Sequence, residues 1–168
     1  MTSPRDIYRD HPTDEEIEDV LAQRLSGVVG TINEDGSIHL AYVIFLWEDG
    51  RLWYETSSVT RKARNAAARP TSSFIVQGTA ASGRGLMVAL EGTVEVRAGA
   101  AAGSVQHRLR AKYVRPEALP ALDRAWDEMD DVAIAITPVR RRSWTGGALA
   151  AFTEAALGSP YDDAWIPD

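Results

Sequence analysis

The first regular pattern of apolar and polar positions along the chain is helical. Thr13-Asp-Glu-Glu16 has the Ser/Thr-x-x-Glu form of a capping box, in which Thr13 and Glu16 satisfy each other's backbone amides. Apolar residues follow at helical spacing at Ile17, Val20, Leu21 and Leu25. The pattern predicts an amphipathic helix over about 13–25.

From residue 28 the pattern changes to that of β-strands separated by tight turns. Asn33-Glu-Asp-Gly36 and Glu48-Asp-Gly50 are typical hairpin turns between apolar runs. The strands predicted in this way cover 28–32, 38–47, 52–56, 73–77, 86–96 and 131–137, the last extended by 140–144. Further helices are predicted over 61–69, 100–113 and about 117–129, with a short Ala-rich helix in the tail.

Six antiparallel strands with one short helix after the third predict a small closed or partly closed barrel with peripheral helices. We expect one domain over 1–168, with an N-terminal helix in 1–26, the barrel in 27–146 and a C-terminal tail in 147–168. Strand 38–47 has few polar positions, so both of its faces need a cover. A second subunit is the candidate cover.

Composition removes several classes of chemistry. The 168 residues include no cysteine, which excludes disulfides, thiolate nucleophiles, iron–sulfur clusters and Cys-based zinc sites. The three histidines lie far apart and lack metal-ligand spacing, so we expect no metal site. The N-terminal residues have no apolar signal-like run, and no apolar run approaches the ~20 residues of a membrane span. These observations predict a cytoplasmic protein that does not associate with membranes.

Charge is distributed unevenly. The chain has a formal net charge of -6, which disfavours nucleic acids and anionic membranes as partners. Residues 51–72 nevertheless hold five basic residues and a single acid, Glu55, a local charge of +4. The five are Arg51, Arg61, Lys62, Arg64 and Arg69. One short basic segment favours a small anionic ligand over a nucleic acid.

The start of the helix over 61–69 is the candidate anion site. Arg61 and Lys62 lie in its first turn, where the helix dipole alone disfavours cations. Free backbone amides, two cations and neighbouring hydroxyls together favour a phosphate, and Asn65 can add a hydrogen bond one turn later. The hydroxyls belong to Thr56, Ser57, Ser58 and Thr60. The alternative is a solvated basic helix whose arginines pair with surface acids.

The run from Val28 to Val96 resembles the split-barrel flavin and deazaflavin oxidoreductases, the superfamily that includes the pyridoxamine 5'-phosphate oxidases. The similarity rests on Thr-Arg-Lys-Ala-Arg-Asn at 60–65 with Pro70 five residues on, and on the strand containing Glu91-Gly92-Thr93. It continues through the strand that ends at Trp144 and covers about 28–144.

The resemblance implies a homodimeric, six-stranded antiparallel split barrel with cofactor sites across the dimer interface. It implies that Arg61 and Lys62 hold the cofactor phosphate, helped by Thr56, Ser57 and neighbouring backbone.

The resemblance also assigns residues to the cofactor ring. The strand Tyr42, Val43 and Ile44 would run along an isoalloxazine-type ring, and Trp144 would approach the cofactor of the other subunit. Trp144 is alternatively an edge-strand core residue. No residue stands out as an obligatory acid or base, and Tyr42 is the candidate proton donor.

Several positions depart from the pyridoxamine 5'-phosphate oxidases. The sequence has Ala41, Leu46 and Met87 where that family has charged or amide side chains, and Thr-Gly-Gly-Ala-Leu follows Trp144. We therefore do not expect pyridoxamine-phosphate oxidation. The remaining site suits a small, largely apolar or aromatic substrate.

The cofactor expected from the resemblance is coenzyme F-420, with FMN as the alternative. The anionic tail of F-420 carries a phosphodiester and glutamates, which Arg64 and Arg69 would bind. The expected activity is hydride transfer from reduced F-420 to the substrate. An FMN-dependent oxidoreductase and a non-catalytic flavin- or tetrapyrrole-binding protein of the same fold are the alternatives.

Overall fold

The computed structural model describes residues 11–160, which form one curled antiparallel sheet with helices on its outside. Its strands are β1 (Ser26–Ile32), β2 (Ile38–Ile44), β3 (Leu46–Glu48), β4 (Arg51–Ser57), β5 (Thr71–Thr79), β6 (Gly85–Ala98) and β7 (Asp131–Thr145). Its helices are α1 (Asp14–Ala22), α2 (Arg61–Ala68), α3 (Ala100–Tyr113), α4 (Leu119–Trp126) and α5 (Gly147–Leu157). The strand order is β2-β1-β5-β6-β7-β4-β3. The half-barrel with peripheral helices confirms the predicted fold class.

The capping box at the start of α1 is confirmed. The Thr13 amide donates to the Glu16 carboxylate (2.9 Å), and the Glu16 amide donates to the Thr13 hydroxyl (3.2 Å). The helix ends at Ala22, earlier than predicted, because Gln23 is extended and its side chain donates to the Thr79 carbonyl of β5 (2.8 Å). Leu25 still packs against the core from the segment that follows.

The strand predicted over 38–47 is divided at Phe45, so the sheet has seven strands instead of six. The Tyr113 hydroxyl accepts from the Phe45 amide (3.3 Å), and its single proton is shared between the carbonyls of Phe45 (2.8 Å) and Leu25 (2.7 Å). The Lys112 ammonium also donates to that carbonyl (3.2 Å). Because side chains at the end of α3 take both backbone groups of Phe45, the strand ladder stops there.

Replacing Tyr113 with Phe is expected to lower the free energy of unfolding by about 1–3 kcal/mol, since buried backbone groups of Phe45 lose a partner. Tyr54→Phe is the matched control, because the buried Tyr54 hydroxyl has no hydrogen-bond partner among residues 11–160. Urea unfolding should show a loss for Tyr113→Phe and little or none for Tyr54→Phe. Equal losses would contradict the assigned role of Tyr113.

Two clusters of buried residues position the outer elements. The larger lies inside the sheet and includes residues of α1 and α2, such as Val20 and Ala66. The smaller lies beneath α3, where Ala102 and Val105 pack with Trp53 of β4 and with two alanines of β7. The long strands β6 and β7 pair along almost their whole length, with a bulge between Glu91 and Gly92.

The tail predicted over 147–168 begins with α5, as expected for its Ala-rich sequence. The acidic end that follows residue 160 and the first ten residues lie outside the described residues. In the part of the chain that is described, no helix has both the length and the apolar character to span a bilayer.

Candidate cofactor site

A hydroxyl-rich turn leads from β4 into α2. Thr60 is the N-cap residue: its hydroxyl donates to the Ser57 carbonyl (2.9 Å) and accepts from the Ala63 amide (3.4 Å). The buried Thr56 hydroxyl lies 3.1 Å from the Thr60 hydroxyl and can therefore donate to it. This cap uses the third amide of α2. The amides of Arg61 and Lys62 precede it and have no partner within the helix.

Lys62 is the basic residue of this region whose surroundings most clearly indicate an anion-binding site. Its side chain is half-buried, and burial lowers the pKa of its ammonium group. Among residues 11–160 the ammonium has no hydrogen bond and no ion pair. A desolvated cation without a counter-charge is unfavourable unless an anion binds beside it. Arg61 is exposed and lines a groove of about 860 Å³ whose lining does not include Lys62.

The other three basic residues of the segment are engaged by the chain itself. Their partners are Glu95 for Arg51 (3.1 Å), the Val59 carbonyl for Arg64 and the Ile32 carbonyl for Arg69 (2.6 Å). Arg64 and Arg69 also line the groove beside Arg61. The anion site at the helix start is thus reduced to Arg61 and Lys62.

Asn65 is buried and ties α2 to β1. Its amide nitrogen donates to the Thr31 hydroxyl (3.1 Å) and to the Asn33 side-chain oxygen (2.9 Å), and its oxygen accepts from Arg69 (3.2 Å). Both N–H donors of the amide therefore point into the protomer. Asn65 supports the position of α2, and a direct contact with a cofactor stays a prediction.

The outer face of β2 is strongly apolar and exposed. Ile38, Leu40 and Tyr42 alternate along it with exposed fractions of 62%, 65% and 80%. Val43 points into the core, so only its backbone is available to a ligand, whereas Ile44 is half-buried on the outer side. Together with β1, β5 and β6 this face lines a groove of about 560 Å³. Contiguous exposed apolar surface of this kind marks an interaction site.

Trp144 lies elsewhere in the protomer. It pairs with Met87 of β6 and lines a cavity of about 490 Å³ that also includes Gln77 and Ala150. This cavity shares no lining residue with the groove beside Arg61, so one protomer does not bring Trp144 and Arg61 together. Its predicted place near the cofactor of a second subunit stays a prediction.

The residues that differ from those of the pyridoxamine 5'-phosphate oxidases are apolar, and so are the side chains around them. Ala41 packs against the larger core and Leu46 against the smaller one. Met87 shares its cavity with Trp144. Within residues 11–160, no group of three or more histidines or carboxylates is placed to hold a metal ion.

Sequence reasoning missed the separate functions of the hydroxyls before α2. Thr60 caps the helix, and the Ser58 hydroxyl donates to Asp130 at the entry to β7. A Thr immediately before a helix start is a recognised N-cap signal, so the first function was readable from the sequence. The second joins residues 72 positions apart and left no local signal.

The half-barrel is that of the split-barrel proteins related to the pyridoxamine 5'-phosphate oxidases. The chain belongs to the pyridoxamine 5'-phosphate oxidase family, whose model matches residues 13–145.

Solved structures agree with this assignment. The chain is similar to the conserved hypothetical protein Rv2991 from Mycobacterium tuberculosis, with 26% identity and a TM-score of 0.69 over 88% of this chain and 92% of that one. It is also similar to an F420 reductase, with 25% identity and a TM-score of 0.57 over 78% and 98% of the two chains. The heme storage protein HutZ from Vibrio cholerae shares the fold at 14% identity, with a TM-score of 0.60 over 79% and 94%. No curated protein matches the sequence.

Proposed function

We propose that this protein is an oxidoreductase that holds a flavin or deazaflavin by its phosphate at the start of α2. Lys62 carries the proposal, because its desolvated ammonium group has no counter-charge among residues 11–160. A phosphate there would accept hydrogen bonds from Lys62, from Arg61 and from the two free amides of the first turn. Thr56 and Ser57 shape the turn that presents them.

The apolar outer face of β2 supports a second part of the proposal. A planar ring system can lie beside Tyr42 and Ile44, and a second copy of the chain would cover the remaining apolar surface. In such a homodimer, Trp144 of one protomer would lie near the cofactor of the other. Water would then be excluded from the reacting face.

Coenzyme F-420 is the first choice of cofactor and FMN the alternative. The groove beside Arg61 is also lined by Arg64 and Arg69, which offer two further cations to a long anionic tail, while Glu34 and Asp35 line its other side. The similarity to an F420 reductase supports the same choice. The reduced cofactor supplies a hydride to an electron-poor carbon of the substrate. Met87, Trp144 and the apolar outer face favour a small apolar or aromatic substrate, and Tyr42 is the candidate proton donor.

Binding without turnover is the second candidate function. The described part of the site contains no buried acid or base near the outer face of β2, where Tyr42 is 80% exposed. A carrier of a flavin or tetrapyrrole needs no such group. Turnover of enones, quinones and tetrapyrroles with chemically reduced cofactor separates the two, because a carrier consumes none of them.

The phosphate assignment is tested by titrating the double variant Arg61→Ala, Lys62→Ala with F-420 and with FMN, followed by fluorescence. Two charge-assisted hydrogen bonds are lost, so the affinity for the cofactor is expected to fall about 100-fold or more. Unchanged affinity for both cofactors would overturn the assignment.

Arg64→Ala is the matched control on the same helix. FMN has a single phosphate, so its affinity should stay within about twofold of the original, whereas F-420 should bind more weakly if its tail follows the groove. Sedimentation of all variants should give the same oligomeric state. The spectrum of freshly purified protein completes the test, because a structural dimer with an empty cleft would bind neither cofactor.

A further inference from the structure

A second cavity lies between α3, α4 and the start of β7, and it shares no lining residue with the groove beside Arg61. Its volume is about 510 Å³, within the usual range of small-molecule sites. Small residues of the first turn of α3, including Gly99 and Gly103, form one wall. Trp126 of α4 and Met129 contribute apolar surface.

The charge lining this cavity is strongly negative. Four aspartates line it: Asp123, Asp127, Asp130 and Asp131. The nearby Arg110 pairs with Asp123 and Asp127 at 3.1 Å and 2.9 Å, but also with Glu55. The His107 imidazole also lines the cavity and lies 2.6 Å from the Asp123 carboxylate. Among residues 11–160, neither Asp130 nor Asp131 has an ion pair with an arginine or lysine. Negative charge therefore remains uncompensated where the cavity meets β7.

Gln106 of α3 provides an independent indication of a ligand. It lines the cavity with only 6% of its surface exposed, yet its side-chain amide has no hydrogen-bond partner among residues 11–160. The amide atoms are not among the fully buried unpartnered polar atoms of residues 11–160, so they face the cavity, where a bound donor can reach them. The amide oxygen is an acceptor suited to an N–H group of a cation.

The arrangement of these groups selects the kind of cation. A metal ion needs three or more ligands that converge on one point, and no such group exists within residues 11–160. The carboxylates are instead distributed around a cavity that also presents Trp126 and Met129. Separated charges with apolar surface between them match amino groups joined by methylene chains.

We propose that this acidic cavity is a binding site for an organic polycation, an aliphatic di- or polyamine. One amino group would bind Gln106 and a second would bind Asp131 and Asp130, while the methylene chain lies against Trp126. The site is independent of the proposed cofactor site. It approaches that site through Asp130, whose backbone carbonyl and carboxylate both accept hydrogen bonds from Ser58 in the turn before α2.

The test is calorimetric titration of the full chain with spermidine. We expect one spermidine per chain, and a neutral diol of similar length should not bind. Gln106→Leu and Asp131→Asn should each weaken spermidine binding about tenfold, since the first removes a hydrogen-bond acceptor for an ammonium group and the second removes a negative charge beside one. Neither substitution removes a partner of Arg110, and thermal unfolding verifies that both variants fold.

Glu15→Gln is the charge-matched control, because it removes one exposed negative charge from α1, a helix that contributes no residue to the lining of the cavity. Its affinity for spermidine should stay within about twofold of the original. Equal weakening by Asp131→Asn and Glu15→Gln, with no change for Gln106→Leu, would mean that spermidine senses only the net charge of -6, and would overturn the site. Binding of Mg²⁺ with the same dependence on Asp131 and Gln106 would overturn it too. An Asp131→Asn variant that loses stability but keeps its affinity for spermidine would also overturn it. Asp131 would then stabilise the fold, through the dipole at the start of α3, and would not bind the ligand.

Discussion

Replacing Arg110 with Met is expected to lower the free energy of unfolding by about 3–5 kcal/mol at neutral pH. The guanidinium group is only 1% exposed, and its Nε donates to both carboxylate oxygens of Glu55 at 3.2 Å. Its Nη1 donates to Asp123 and Asp127. Methionine fills similar space but leaves the Glu55 carboxylate, whose side chain is 7% exposed, without a counter-charge. Urea unfolding measures the loss.

The loss should depend on pH in a defined direction. Burial raises the pKa of Glu55 even though the bonds from Arg110 lower it, so removing Arg110 raises that pKa further. A carboxyl group whose pKa is higher in the folded state than in the unfolded one favours folding when it is protonated. The deficit of Arg110→Met is therefore full at neutral pH and shrinks as the pH falls through the folded-state pKa of Glu55.

The double variant Arg110→Met, Glu55→Gln supplies the control. It removes the uncompensated charge, so it should recover part of the lost stability and lose the extra pH dependence. A deficit that is constant with pH, or a double variant no more stable than Arg110→Met, would show that packing rather than charge explains the effect.

The sequence pattern predicted the helices and strands whose ends are determined by residues close by in the chain. The capping box of Thr13 and Glu16 and the boundaries of α3 follow from neighbouring residues, and the structure has both. The division of the strand at Phe45 depends on Tyr113, which lies 68 positions away. No periodicity within 38–47 contains that information, so the predicted strand was too long.

The same distinction applies to the candidate sites. The concentration of cations at the start of α2 is visible in the sequence, but the partners that occupy Arg64 and Arg69 are backbone carbonyls. Carbonyls have no sequence signature, so the reduction to Arg61 and Lys62 required the structure. The buried Arg110 had a weak signal, because it shares the inner face of α3 with Gln106 and Leu109. A charged residue on that face predicts a buried ion pair.

Gly92→Ala should be among the most damaging single substitutions in the sheet. A Cβ atom at this position would lie 2.2 Å from the Thr137 carbonyl oxygen and 2.7 Å from its carbon. Both atoms belong to the backbone of β7, so no side-chain rotation relieves the clash, and the bulge that joins the two halves of β6 has to shift. We expect the free energy of unfolding to fall by about 3 kcal/mol.

Gly85→Ala is the matched control within β6, because its added Cβ would meet no atom within 4 Å. Its effect on the free energy of unfolding should stay within about 0.5 kcal/mol, because the added Cβ is unhindered and alanine restricts the unfolded chain. Denaturant unfolding of the two variants side by side isolates the contact with Thr137, since the chemical change is the same in both. Equal stability of the two variants would mean that β7 yields at this position. The bulge between Glu91 and Gly92 would then depend on the pairing with β7 around Pro138 and not on the absence of a side chain at Gly92.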